Sequence, residues 1–499
     1  MKTHIQTETL ATLSQLITGN TENTTVTNIT DKIEQIAESK KAKIKAAVPI
    51  TQKKSLDLTG LVYYDASSKE YLYKNERKIW RAYGDAAIKR ILKFLGFRAS
   101  IPKDENGTPT DKLSDVDYAL IELQDKHDVD YHGKLCGRSA GFYDENGTRF
   151  LVTNSPQLIE PVYGQWPIFN AFLSGLIRDN EPEYGETQWN TLHGWMQTAV
   201  IALRSGKIQQ AQALAIAGKP NCGKSLLQQI ITHILGGRAA KAAHFMNGRT
   251  DFNGELFEAE HLLLEDEFMS TRIHDRLQLG AAIKGMTVST SLVSCQRKHR
   301  HPVNLPAWWR VSISLNDDPE ALLVLPPLDE HIADKIILLR ASCFDLPMPT
   351  DNTELKDKFW QTLIAEIPHY LHWLINEFVI PDEYSDKKRY VVATWHHPEM
   401  KQALERLSPE SELLNLIVRA LWRTEREEEW KGTADELRTL LLDDSRTKRD
   451  AERLIGGWAQ ACGTYLGRLA KKHPEYVKEA RTANKREWII YPELINGKI

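Results

Sequence analysis

Residues 213–230 read ALAIAGKPNCGKSLLQQI. The stretch is a short apolar strand (Ala213 to Ala217), a glycine-bounded loop, and a helix opening at Ser225. The loop fits G-x-x-x-x-G-K-[ST], with Gly218, Lys219, Pro220, Asn221, Cys222, Gly223, Lys224 and Ser225 in order. Such a loop turns backbone N–H groups toward the phosphates of a nucleotide. Lys224 would neutralise the β- and γ-phosphates, and the Ser225 hydroxyl would ligate Mg²⁺. The helix N-terminus behind them adds a favourable dipole. A match set between an apolar strand and an amphipathic helix is far more specific than the bare pattern.

Such a loop needs a carboxylate on a neighbouring strand. HLLLEDEF follows at residues 261–268. Leu262 to Leu264 read as a buried strand with Glu265, Asp266 and Glu267 at its C-terminal end, where ligands bind in α/β sheets. Adjacent carboxylates on a strand point differently, so one can face a metal while another orients water. Glu265 and Asp266 are the favoured pair, with Glu267 in reserve. RVSISLNDDP then predicts a strand over Val311 to Leu315 ending in Asn316, a polar group able to reach the γ-phosphate or the attacking water. Between these strands, KGMTVSTSLVSCQRKHRHPVNLPAWWR (284–310) holds two β-prone runs around Arg297, Lys298, His299, Arg300 and His301. A hairpin with a cationic tip suits a phosphate backbone. A metal site at His299 and His301 lacks a third ligand at metal spacing.

The order of loop, LLLEDE, basic hairpin ending in KH, and strand ending in Asn resembles the superfamily 3 helicases of small DNA viruses, phages and mobile elements. The resemblance covers roughly residues 200–345. The blocks GRSAGFYDENGTRFLVTN and WLINEFVIPDEYSDKKRYVVATWHHPE also look like those of phage and prophage primase–helicase proteins. The resemblance implies an α/β P-loop NTPase core of AAA+-like type, a hexameric ring, and ATP and Mg²⁺ as cofactors. It implies single-stranded and forked DNA as partners, with primase or other replication proteins as further ones. By the same resemblance Lys298 and His299 would grip DNA in the channel, and Asn316 would sense the nucleotide. Two departures stand out. Extra residues around Thr290 to Ser294 blur the hairpin register. In HIADKIILLRASCF, either Lys335 or Arg340 could be the cation a neighbour lends.

The 499 residues carry a net charge of −3, so nucleic-acid contact must use local basic patches. No apolar run approaches the ~18 residues of a membrane span. The N-terminus lacks a signal-peptide core. Five scattered cysteines form no CxxC pair, and a reducing cytoplasm is the expected compartment. The expected organisation is a flexible or helical leader (1–45) and an N-terminal α+β domain (46–165). A helical collar with the ATPase domain (166–350), a helical lid and linker (351–407) and a winged-helix domain (408–499) follow. In the α+β part, GLVYYDA, YLYK, YALIEL and TRFLVTN read as strands. Two DVDY repeats, Asp115 with Asp117 and Asp128 with Asp130 and His132, hint at primase carboxylates. Both lie in turn-like contexts, and a structural or collar domain is the preferred reading.

The C-terminal part reads as helix, helix, helix, hairpin. Thr433 and Glu436 form a capping box. Arg468, Lys471 and Lys472 lie on the third helix, and Arg481, Lys485 and Arg486 around the hairpin. From Cys462 onward there are eight Lys/Arg against four Asp/Glu, which favours duplex or origin DNA. The leading expectation is thus an ATP-dependent DNA helicase translocating on single-stranded DNA. The alternatives are a DNA-stimulated ATPase, in a mobile-element or phage-defence setting without processive unwinding, and an origin-binding initiator.

Overall fold

The computed structural model describes residues 58–207, 209–265, 270–288, 292–406, 408–422, 428–481 and 485–491. The expected leader and the acids Asp266 and Glu267 lie outside them. The chain divides into two units, Met1–Leu58 and Thr59–Ile499, and the elements described belong to the second. It is a mixed α/β protein with a parallel sheet at its centre.

The first elements are β1 (Val62–Asp65), β2 (Glu70–Lys74), β3 (Trp80–Tyr83), α1 (Asp85–Phe94), α2 (Asp115–Lys126), β4 (Asp128–Val129), β5 (Tyr131–Gly133), β6 (Gly141–Glu145) and β7 (Thr148–Val152). They make one sheet in the order β3-β2-β1-β4 and another in the order β5-β7-β6. The run YALIEL, expected as a strand, lies inside α2 instead. Ser114 caps that helix by accepting from the Asp117 amide. Val116, Ala119, Leu120 and Leu123 then fall on one buried face at helical spacing. The first DVDY is therefore the start of a helix rather than a loop, and the second spans β4 and β5 with Asp130 between them.

Two long helices, α3 (Pro167–Leu176) and α4 (Pro182–Ser205), precede β8 (Ala213–Gly218). Then come α5 (Lys224–Ile234), β9 (Ala239–Lys241), α6 (Ala243–Met246), α7 (Gly254–Phe257), β10 (His261–Glu265), α8 (Ile273–Val288), the hairpin β11 (Val293–Cys295) and β12 (Val303–Leu305), β13 (Arg310–Leu315), α9 (Pro319–Leu322) and β14 (Ile336–Ala341). The five strands β14-β8-β13-β10-β9 form one sheet in that order, every neighbouring pair parallel. A parallel sheet covered by helices is buried on both faces, and all six residues of β8 are buried. Leu214 and Ile216 face a core with residues of α3, α4, α5 and α10 (Thr353–Asn376). Ala213, Ala215 and Ala217 face another with α8, α9 and α11 (Pro398–Arg406).

The expected strand through Val288 is absent: α8 runs to Val288, and the hairpin begins at Val293, paired with Leu305. The apparent insertion around Thr290 to Ser294 is therefore partly the start of the hairpin strand rather than a shift of its register. The hairpin shares a core with β5 and β7, in which Cys295 and Leu305 pack with Tyr131, Leu135, Phe150 and Val152. A buried ion pair fastens the same region to the sheet. Glu260, fully buried, takes the Arg238 guanidinium at both oxygens and accepts the Gly137 amide at 2.9 Å.

Beyond α11, β15 (Ser385–Asp386) and β16 (Val391–Val392) having preceded it, the chain forms α12 (Pro409–Leu421), β17 (Trp430–Gly432), α13 (Ala434–Asp443), α14 (Lys448–Ala451), α15 (Ala461–Lys472), β18 (Val477–Arg481) and β19 (Arg486–Ile490). The strands pair antiparallel in the order β17-β19-β18 over a core supplied by α12, α13 and α15. The capping box at Thr433 and Glu436 is formed. Among the described residues no helix is long and apolar enough to cross a membrane.

Glu260→Ala leaves the largely shielded Arg238 guanidinium without its ionic partner, with the Asn154 and Leu135 carbonyls still accepting from it. It is expected to lower unfolding free energy by about 3–5 kcal/mol, the range for breaking a buried pair from one side. Urea denaturation followed by tryptophan fluorescence measures it, and a loss below 1 kcal/mol contradicts the assignment.

Candidate functional site

The sheet order brings the sequence-predicted residues to one edge. β13 lies between β8 and β10, in register through Leu315 with Ala217 and through Ser314 with Glu265. Asn316 therefore emerges between the loop that follows β8 and the carboxylate that ends β10. Its Oδ1 is 3.4 Å from the Lys224 ammonium. That ammonium is buried and also donates to the Gly218 carbonyl at 2.7 Å and the Lys219 carbonyl at 2.8 Å.

The loop requires its glycines. A Cβ on Gly218 would stand 2.5 Å from the Ala341 carbonyl oxygen and 3.1 Å from Cys222 Sγ. Gly223 has φ +105° and a virtual Cβ 3.3 Å from Phe172, and Asn221 is left-handed at φ +63°, a conformation asparagine tolerates. This puts the start of α5 at Lys224 directly after the loop. Lys219, Pro220, Asn221 and Ser225 are exposed around it. Burial pushes the Cys222 thiol pKa up, with Lys224 pulling against it. The donors match a phosphate group: a cradle that a side chain would fill, a cation beneath it, and a helix N-terminus with a hydroxyl at its edge. Glu265 is half-buried and bonds Lys241 at 2.7 Å.

A polar network lies beneath the site. Gln228 and Thr232 on α5, His261 on β10 and Ser312 on β13 are hydrogen-bonded through the sheet face. Gln228 Nε2 donates to Ser312 Oγ at 2.9 Å; His261 Nε2 meets Ser312 Oγ and His261 Nδ1 meets Thr232 Oγ1, each at 2.8 Å. Thr232 gives its own proton to the Gln228 carbonyl at 3.0 Å. A neutral ring with Nδ1–H satisfies every member. The only sequence sign was a polar residue at each inward position of otherwise apolar elements.

The basic hairpin is less free than its composition suggests. The Arg297 guanidinium lies 4.4 Å from the Tyr131 ring centre and donates to the His132 carbonyl at 3.3 Å. Arg300 bonds the fully buried Asp65 at 2.8 Å. Lys298, His299 and His301 are exposed. Of the expected DNA-contacting tip, Arg297 and Arg300 are thus committed to the protein itself. Each guanidinium keeps further N–H donors beyond these contacts, but the contacts restrict where it can point.

With this geometry in view, no protein-family model and no curated protein matches the chain. Among solved structures, apo forms of the C-terminal region of NrS-1 superpose with TM-scores of 0.45 to 0.46 at 12 to 14% identity, covering 86 to 88% of this chain and 95 to 98% of theirs. The RuvB Holliday junction branch migration motor of Thermotoga maritima aligns over 62% of this chain and 93% of its own, at 12% identity and a TM-score of 0.19.

The remaining residues fall apart from the loop or into intramolecular pairs. Lys335 is buried at the start of β14 and paired with Asp334. Arg340, at the other end of β14, is register partner to Ala217 and binds Glu399 at 2.7 Å. Arg468 pairs with buried Glu410, Lys471 with Glu330, and Arg486 with Glu479. Arg468, Lys471 and Arg486 line a groove of about 590 Å³ between α15 and the β18–β19 hairpin. Lys472 is exposed, and Lys485 lies beside that hairpin. Asp117 accepts from Ser114 Oγ at 2.6 Å, Asp128 pairs with Arg149, Asp130 accepts the Arg149 amide at 2.8 Å, and His132 binds Asp65 at 2.6 Å. Asp117, Asp128 and Asp130 thus hold helix α2 and β7 in place, and among the described residues no three potential metal ligands gather.

Burial lowers the pKa of His261 to about 3 and that of His193 on α4 to about 4. The unfolded chain takes these protons first, near pH 6.5. Their contribution is therefore complete above pH 6.5 and is lost as pH falls toward 3–4. Each adds a slope of about 1.4 kcal/mol per pH unit in that window. Urea denaturation at pH 7, 6 and 5 should show the decline. His261→Gln should flatten it by about one proton's worth, and an unchanged slope contradicts a neutral buried ring.

Proposed function

We propose that this chain is an ATP-dependent DNA helicase of superfamily 3 type that translocates on single-stranded DNA during replication of a phage or mobile element. The observation that carries the reading is that β8, β13 and β10 end side by side, with Lys224 bonded to Asn316 and Glu265 ending the next strand, from where it must leave Lys241 to reach a metal. Such carboxyl ends of strands are the positions at which a parallel α/β sheet binds ligands.

In this reading Gly218 to Ser225 wrap the triphosphate of ATP, and the loop amides and Lys224 offset its charge. Lys224 leaves its loop carbonyls for the phosphates. Ser225 and Glu265, with Asp266 beside it, would hold Mg²⁺, which supplies further neutralisation of phosphate charge. Asn316 reaches the terminal phosphate or the attacking water from the strand between them, and the acidic cluster orients that water. Lys335 and Arg340 lie at opposite ends of β14. Arg340 shares its end with this chain's own loop, so it is the candidate to act within the subunit. Lys335 is the candidate to reach a neighbour in a homo-hexameric ring, and it must leave Asp334 to do so.

Lys298 and His299 then contact the strand being moved. The α12–β19 region is read as a winged helix whose Lys472 and Lys485, with the lining of the α15 groove, meet duplex DNA. Residues 166–205 with α10 are read as the collar and lid helices about the ATPase core.

Lys224→Ala is expected to abolish ATP turnover, and wild-type turnover in this variant contradicts the assignment. Asn316→Ala should lower kcat by about 10²-fold, the loss typical of one transition-state donor, while nucleotide binding is retained. Lys298→Ala with His299→Ala should remove stimulation of turnover by single-stranded DNA and leave basal turnover within about twofold of wild type. Coupled-enzyme ATPase assays with and without an oligonucleotide separate these outcomes.

A further inference from the structure

Asp65 is the most heavily bonded carboxylate near the basic hairpin. It ends β1, is fully buried, and is 235 residues away from its arginine in sequence. Oδ1 accepts the Ser67 amide at 2.8 Å, the Ser67 hydroxyl at 2.6 Å and the Ser68 amide at 3.2 Å. Oδ2 accepts from Arg300 at 2.8 Å and meets His132 Nδ1 at 2.6 Å. Burial alone would raise its pKa. The bonds from His132 and Ser67 outweigh that and hold the carboxyl well below the usual carboxylate range.

The rest of the hairpin is seated to match. Asn253 fixes its first strand, donating to the Ser294 carbonyl at 2.9 Å and accepting the Gln296 amide at 2.6 Å. Arg297 passes over Gly254, where a Cβ would stand 2.6 Å from its Cγ, on its way to the Tyr131 ring. The tip turns through His299 at φ +60°, with the Arg300 amide bonded to the Arg297 carbonyl at 3.3 Å. Two arginines therefore bracket the exposed pair Lys298 and His299. Releasing Arg300 to a DNA phosphate would take from a buried carboxylate its one guanidinium, leaving His132 and the serine donors to hold its charge, which is costly. The contact is built to persist.

We propose that Asp65 is a positioning residue for the hairpin: through Arg300 it fixes the tip so that Lys298 and His299 are presented together to a nucleic-acid strand. The proposal rests on the reading of the hairpin as the DNA contact, and it assigns Arg300 to holding the tip rather than to touching phosphate.

The test uses the full chain with Asp65→Asn, Arg300→Met and the double variant. A fluorescent single-stranded oligonucleotide is titrated at several salt concentrations. If Asp65 positions the tip, both single variants weaken binding in the same direction, by about tenfold. The double variant is then no weaker than either, as expected for partners in one contact. If Arg300 instead contacts phosphate and Asp65 merely restrains it, Asp65→Asn binds more tightly, with a steeper salt dependence by about 0.7 for one added phosphate contact. Tighter or unchanged binding by Asp65→Asn overturns the proposal. Hydrogen exchange gives a readout without DNA. Amides from Arg297 to His301 should exchange at least about tenfold faster in Asp65→Asn while those of β8 and β13 keep their protection. Unchanged exchange at the tip also overturns it. A wild-type chain that binds no DNA would defeat the functional reading, and exchange would still decide the role of Asp65.

Discussion

The placement of β13 between β8 and β10 is the constraint on which the site depends. Lys224, Glu265 and Asn316 come from three segments spread over more than ninety residues. Only a sheet in which the strand after the hairpin inserts between the first and third strands ends all three side by side. Parallel strands demand long crossovers, and the helices that make them cover both faces. The small residues Ala213, Ala215 and Ala217 on one face and the larger Leu214 and Ile216 on the other show how tightly those helices close on β8. The His261 network adds a polar tie from α5 to β10 and β13, so the helix that follows the loop at 218–225 is fixed to the strands that end in Glu265 and Asn316.

Charge is used mostly to join parts of this molecule. Glu260 fastens the loop at Gly137 to the sheet through Arg238. Asp65 takes Arg300, and Tyr131 takes Arg297. Arg468, Lys471 and Arg486 are each paired within the chain. The Lys471 and Arg486 pairs are exposed, and such pairs are weak and salt-sensitive, so a nucleic acid could displace them; Arg468 instead holds the buried Glu410. The buried pairs are a different matter, because separating them strands a charge away from water. The basic segments therefore sort by burial into holding cations and available ones.

Much of the core was legible because its signals are local. The strand, loop and helix at 213–234 follow from apolar runs, glycine spacing and helical periodicity within twenty residues. The strands before Glu265 and Asn316 were equally plain, as was the capping box at Thr433. What escaped was decided partly by a competing local signal and mostly by partners distant in sequence. YALIEL alternates well enough for a strand, but Ser114 and a buried i, i+3, i+4 face make it a helix. The internal contacts of the hairpin arginines were hidden because Asp65 and Tyr131, which engage them, lie more than 160 residues upstream. No local pattern announces that Gln228, Thr232, His261 and Ser312 meet.

The central claim is that the loop at 218–225 powers movement of a DNA strand held by the hairpin at 297–301. Electron microscopy of the full chain with a non-hydrolysable ATP analogue and forked DNA tests it most directly. The account predicts a closed ring with nucleotide against Lys224 and Asn316 and a single strand in the channel beside Lys298 and His299. Particles with nucleotide at that loop but with DNA elsewhere, or without any enclosed strand, would contradict it.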